Sequence, residues 1–201
     1  MFTSFDLISI FYCFIAIGVI RRLIKKRKAL IDDDIDIFDK RLISEVSFFI
    51  LIPIGVLLHE LGHAIAVWYF GGTVVDFEWR VFWGYVSHQG SFTDVQRWWI
   101  SFSGNLVSIV IGIIPLFYIS KVRRLIVKEL LRTFAKIEII YSLIFYPVFS
   151  FIGFGGDWVR IYDFSIKPYA QITLVSHILL MFILWKSGVF KSEESNKPEQ
   201  F

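Results

Sequence analysis

Five long apolar runs decide most of what this chain can become. They cover residues near 4–20, 46–70, 98–119, 134–154 and 169–186, and a hydrocarbon core takes about 20 helical residues to cross. Inside lipid every backbone N–H and C=O needs a partner, which favours helices over any open structure. With 56% of its 201 residues hydrophobic, the chain predicts an all-α membrane protein of about five transmembrane helices. One polytopic domain takes up residues 1–190. The remainder, 191–201, is polar and contains Pro198, and it reads as a short disordered cytoplasmic tail.

Charge orients the bundle. No Lys or Arg precedes the first run, and Asp6 stands where they would be, which argues against a cleaved signal peptide. Arg21, Arg22, Lys25, Lys26, Arg27 and Lys28 follow it. The positive-inside rule then sets the N-terminus outside and this end of the helix in the cytoplasm. A second basic loop, Lys121, Arg123, Arg124, Lys128 and Arg132 against Glu129, falls on the same side, and the C-terminus is cytoplasmic as well. Asp32, Asp33, Asp34, Asp36 and Asp39 lack the Gly and the closing Glu of a twelve-residue calcium loop, so they read as a solvated acidic loop. The amphipathic stretch from Ile35 to Ile43 reads as lying along the membrane surface. No basic surface interleaved with aromatics points to nucleic acid, and a single Cys, Cys13, excludes an intrachain disulfide.

One stretch breaks the helical pattern. After Gly71-Gly72, the residues Val75, Phe77, Trp79, Val81 and Trp83 alternate with Asp76, Glu78, Arg80 and Phe82, the period of a strand with one apolar face. Gly84 and the segment Tyr85 to His88 then suggest a return strand. The expectation is a short β-hairpin at the outer membrane surface, where Trp79, Trp83, Trp98 and Trp99 suit the interfacial aromatic belt.

The chemistry concentrates in the second run, at His59-Glu60-Leu61-Gly62-His63. Four residues apart on a helix, the two imidazoles project from one face and can grip one Zn²⁺. Glu60 is then placed to serve as general base toward a water in the open metal position. Ionisable side chains in a spanning helix are costly, which favours a functional reading. Pro53 and Gly55 predict a kink or local unwinding one to two turns earlier. A catalytic zinc takes a third protein ligand, and His88, Asp157, Asp163 and His177 are the candidates. Asp157 sits at the outer end of the fourth run, level with the two histidines, and Gly153, Gly155 and Gly156 let the backbone bend there. The bland alternative is an Asp157–Arg160 pair at a helix end. In the third run, Ser103, Gly104 and Ser108 read as small residues for close helix packing. Asn105 is an amide that needs partners.

The run His59-Glu60-Leu61-Gly62-His63-Ala64 in a spanning helix resembles the site-2 protease family of intramembrane zinc metalloproteases. The resemblance covers residues near 50–158. It implies Asp157, after Gly155-Gly156, as the third ligand, and Phe102-Ser103-Gly104-Asn105-Leu106 as the counterpart of an intermediate-span motif. Asn105 would then help the metal stabilise the oxyanion. Trp158 follows Asp157 where the family has Gly, Asn105 stands where it has Pro, and Ser108 where it has Asn, as in a small divergent branch. What the resemblance implies is hydrolysis of peptide bonds in a membrane-protein substrate, within or beside the lipid bilayer. The alternatives are a catalytically inactive membrane scaffold that retains the zinc motif and a zinc transporter. The second wants several His and Asp along a path, and only His177 hints at one.

Overall fold

The computed structural model describes residues 4–27 and 35–189. Lys28, Asp32, Asp33 and Asp34 of the first connection, and the expected disordered tail at 191–201, lie outside the described residues. In chain order the elements are α1 (Ser4–Lys26), α2 (Ile37–Val46), α3 (Ile52–Tyr69), strands β1 (Thr73–Trp79) and β2 (Gly84–Gln89), α4 (Asp94–Tyr118), α5 (Leu125–Ile140), α6 (Tyr146–Phe149), α7 (Asp157–Ile161) and α8 (Tyr169–Lys186). Helices α2 and α3 run on through a π-turn at Ser47–Leu51, and α5 and α6 through one at Tyr141–Phe145. The result is five helical stretches long and apolar enough to cross a membrane: Asp6–Lys26, Ile37–Tyr69, Asp94–Lys121, Leu125–Ile152 and Tyr169–Lys186.

Two of them begin nine residues before their apolar runs. Asp36 caps α2, accepting from the Asp39 N–H at 2.7 Å while Asp39 reaches back to the Asp36 N–H. This reciprocal box starts the helix. Asp36 and Asp39 are therefore cap residues and not part of a solvated loop. The stretch expected along the membrane surface forms the first turns of the second long helix, with Leu42 and Val46 packed on Val19 of α1. Likewise Lys128, Glu129 and Arg132, expected in a loop, belong to the opening turns of α5. Arg132 pairs with Glu129 at 3.0 Å, a spacing of three that one helix face supports.

Both π-turns sit just ahead of a proline, Pro53 and Pro147, each within the first two residues of the helix that follows. Proline supplies no N–H and its ring crowds the preceding turn, and widening that turn relieves the crowding. The irregularity predicted around Pro53 and Gly55 is thus a π-turn before Pro53. Each site frees a carbonyl that a distant side chain takes up. The Ile52 N–H goes to Ser47 O, and the Tyr12 hydroxyl of α1 donates to Phe48 O. Pro147 has no N–H to give Leu143 O, and His177 Nε2–H of α8 donates to it at 2.9 Å.

The two strands pair antiparallel, with a bulge between Val74 and Asp76. The chain reverses at Arg80–Trp83, four residues earlier than alternation through Trp83 suggested, and Val81 takes φ 69° in the turn. Arg80 ion-pairs with Asp6 of α1 and with Glu78, the latter at 2.8 Å. Trp79 Nε1 donates to Pro53 O at 3.0 Å. The hairpin is thereby tied to both α1 and α3. Its alternating apolar residues Val75, Phe77 and Trp79 remain exposed even though the Trp79 indole reaches α3.

Polarity across the bundle is inverted. Leu7, Phe11 and Phe14 on α1 and Ile172, Val175 and Phe182 on α8 are exposed, while His59, Glu60, His63, Asn105, Ser108 and Glu138 are buried. The apolar clusters between helices are small, as in the Ile139–Leu143–Leu184 group.

Candidate metal centre

Helices α3 and α4 cross where side chains are smallest. A Cβ on Gly62 would stand 2.9 Å from Ser103 O and 3.1 Å from Gly104 Cα, so glycine is what lets the two backbones approach. The packing role expected of Ser103 and Gly104 holds. Thr93 caps α4 through a reciprocal pair with Gln96, fixing the helix that carries Asn105 and Ser108.

At this crossing His59 and His63 meet Asp157. The His59 and His63 Nε2 atoms are 3.0 Å apart, and Asp157 Oδ2 lies 3.2 Å from the first and 3.1 Å from the second. Tetrahedral zinc with bonds of about 2.0–2.1 Å separates its ligand atoms by about 3.3 Å. The triangle is within a few tenths of an ångström of that. Gly104 makes room for it, since a Cβ there would press on His63 Nε2 and come 2.8 Å from His59 Nε2. This buried set of two imidazoles and a carboxylate can hold a divalent metal ion.

The outward ring nitrogens are engaged. His63 Nδ1–H donates to Ile100 O at 2.6 Å. A carbonyl only accepts, so that nitrogen carries the hydrogen. His59 Nδ1 bonds Ser108 Oγ at 3.0 Å, a role beyond the packing expected of Ser108. Partners of this kind orient metal-binding histidines.

Asp157 reaches the site because the chain turns sharply before it. A π-turn at Ser150–Phe154 ends at Gly155 in the left-handed region, φ 63°. A Cβ on Gly156 would collide with Ser150 Oγ and stand 3.0 Å from Tyr146 Cε2. Once in place, the Asp157 carboxylate is held from two further sides. Tyr146 donates its hydroxyl to Oδ2 at 2.9 Å, and Asn105 Nδ2 donates at 3.2 Å. Burial alone would push the Asp157 carboxyl up, but the adjacent imidazoles outweigh it and hold the group well below the ordinary carboxylate range. It can serve as an anionic ligand. No Arg160 pairing is made among the described residues, and Asp157 meets the two histidines, Tyr146 and Asn105 instead.

The other candidates lie elsewhere. Asp163 accepts from Ser165 N–H and Oγ–H at 3.0 and 2.6 Å in a surface turn. His177 is bonded to Leu143 O and to the Tyr162 hydroxyl. His88 is on β2, at the rim of the site and outside the ligand triangle. The Asn105 Nδ2 amide donates to Asp157 and to Ser101 O, each at 3.2 Å, while its buried Oδ1 has no hydrogen-bond partner among the described residues.

Glu60, buried and one residue past His59, contributes no ligand atom to the triangle. It lines a cavity of about 590 Å³ together with His63, Asp157, Tyr146 and the β2 residues Tyr85 and Val86. Strand β2 roofs Glu60 so closely that a Cβ on Gly84 would come 2.7 Å from Glu60 Cγ. Tyr146, which sequence reasoning missed, touches three parts of the site: the Asp157 carboxylate, the cavity wall and the His59 ring, at 5.5 Å between centroids. The chain matches no family model, no curated protein and no solved structure.

Proposed function

We propose that the protein is an intramembrane zinc metalloendopeptidase of the site-2 protease type. The observation that carries this reading is the buried triangle of His59, His63 and Asp157 with Glu60 beside it on an open cavity. Two imidazoles and one carboxylate are a donor set suited to catalytic zinc, which keeps one position for water. The inverted polarity of the bundle supports a bilayer as its surroundings, because charged and polar groups then face each other and not lipid. In that setting the N-terminus is outside, the basic end of α1 and the start of α5 are cytoplasmic, and the hairpin lies at the outer surface.

Zinc, when bound, supplies Lewis acidity that acidifies water and polarises the scissile carbonyl. The remaining steps belong to the chain. Glu60 takes the proton of the attacking water as its oxygen bonds to the carbonyl carbon, then delivers that proton to the departing amine as the C–N bond breaks. Asn105 and Tyr146 hold the Asp157 carboxylate. Asn105 reaches an oxyanion by releasing that bond, and the Tyr146 hydroxyl is a second donor at the same place. Strand β2 pairs with β1 on one side, and residues of β2 line the cavity. A substrate segment unwound from its helix can pair there as an added strand.

The base beside the metal triangle favours an enzyme over a scaffold. The deciding experiment uses the full-length protein in detergent: metal content by mass spectrometry, and cleavage of a membrane-spanning reporter substrate. Stoichiometric zinc with cleavage that stops on chelation is expected. Bound zinc with no cleavage of any reporter favours the scaffold.

A further inference from the structure

Away from the metal centre, where α1 ends and α2 begins, the two helices leave a cavity of about 230 Å³ between them. Its lining follows helical spacing on both sides. Arg22 and Lys26 lie four apart on α1, and Phe38, Arg41, Leu42 and Glu45 lie three or four apart on α2. Arg22 and Arg41 both pair with Glu45, at 2.6 and 3.3 Å. Arg22 uses one terminal nitrogen for this and Arg41 its Nε, so each guanidinium keeps further donors. Lys26 stands over the Phe38 ring at 5.4 Å and has no ion-pair partner among the described residues. Three cations therefore meet one carboxylate. Leu42, also in the lining, packs on Val19 and Val46 and gives the cleft an apolar side.

Cations in the last turn of a helix complement its dipole and need no ligand. Here α2 adds Arg41 from across the cleft, and exposed apolar side chains stand within a turn of the charges. They are Ile20 and Ile24 on α1 and Ile37 and Phe38 on α2. Cations at the end of an apolar span, with bare apolar residues beside them, match the depth at which lipid phosphates meet acyl chains. A phosphodiester suits the donors as well. Its two anionic oxygens accept from a guanidinium fork, and a lysine ammonium adds a point charge. The volume is below the about 300–1,000 Å³ of sites for drug-sized ligands, which leaves room for a single headgroup. We propose that this cleft binds the phosphate headgroup of an anionic phospholipid through Arg22, Lys26 and Arg41. Glu45 competes with the lipid for both guanidiniums and so keeps the affinity moderate. The inference needs the long helices to stand in a bilayer, and it is independent of zinc and of hydrolysis.

The test uses full-length protein in detergent, titrated with phosphatidylglycerol or phosphatidylcholine, with bound lipid counted by native mass spectrometry. Wild type should retain phosphatidylglycerol in preference to phosphatidylcholine. Lys26→Gln and Arg41→Gln should each weaken phosphatidylglycerol binding about fivefold. Arg21→Gln removes the same charge from α1 but lies outside the lining, and it should leave binding near wild type. Glu45→Gln should raise the affinity by a similar factor, a gain that a damaged fold would not produce. Equal retention of the two lipids by wild type overturns the site. So does a loss in Arg21→Gln as large as that in Lys26→Gln, which would mean diffuse surface charge, or an unchanged or lower affinity in Glu45→Gln. Displacement of phosphatidylglycerol by millimolar inorganic phosphate would make free phosphate the ligand and overturn the assignment to lipid. A wild-type protein that keeps its lipid preference but holds no zinc overturns the metal centre and leaves this site standing.

Discussion

Glu60 lies outside the ligand triangle, so Glu60→Gln should leave zinc bound while hydrolysis falls by the roughly 10²–10⁴-fold that a general base contributes. Cleavage at near wild-type rate in that variant would remove Glu60 from the mechanism. Asp157→Ala should lower zinc affinity by more than the about 10–100-fold typical of losing an outer partner. Asp163→Ala and His177→Ala should leave zinc content intact, and metal analysis of the three variants separates them. Gly104→Ala offers a sharper contrast. Alanine improves an ordinary helix interior by about 1 kcal/mol, yet here its Cβ would press on both Nε2 atoms. The variant should fold and fail to hold zinc, and equal zinc content would mean that the rings have room the geometry does not show. At this scale the two histidines were legible because spacing on one helix is enough to bring them together. Asp157 was legible because three glycines announce a bend. Ser108 and Tyr146 were not, since each meets the site only where one helix crosses another, and a single sequence carries no record of crossings.

Among the elements, the hairpin has the most direct hold on chemistry. Gly84→Ala would put a methyl group 2.7 Å from Glu60 Cγ and 2.8 Å from Glu78 O. It should therefore lift β2 from the base, lowering the cleavage rate while zinc content stays at the wild-type level. Loss of zinc in step with activity would show the strand to be supporting the ligands instead. Strand alternation marked this element, but its turn was misplaced because Val81 and Trp83 continue the apolar period through the reversal. The helix starts at Ile37 and Leu125 were hidden for a different reason. Hydropathy finds the apolar part of a helix, whereas the Asp36–Asp39 box and the Glu129–Arg132 pair extend helices into charged sequence.

For the molecule as a whole, the proposed orientation predicts that a Ser91→Cys variant, made in a Cys13→Ser background, is labelled by an impermeant thiol reagent from outside intact cells. Labelling only after the cytoplasmic face is opened would reverse the topology. The five long helices were readable from composition because length and apolarity suffice to define them. Their arrangement was not, because outward-facing and inward-facing apolar residues look alike in sequence.

The two helices at the margins of the bundle, α1 and α8, bury less of themselves than the second long helix does. In lipid, apolar contact does little to tell one rotation of such a helix from another, and a directional bond has to choose. Tyr12 on Phe48 O and His177 on Leu143 O make that choice, each on a carbonyl freed beside a proline. The two prolines therefore set the azimuth of helices to which they do not belong. Tyr12→Phe and His177→Leu should each cost only about 0.6 kcal/mol, little enough to leave the protein folded. Spin labels on the outer faces of α1 and α8 should nonetheless report a wider spread of distances to α3, as each helix begins to swivel about its own axis.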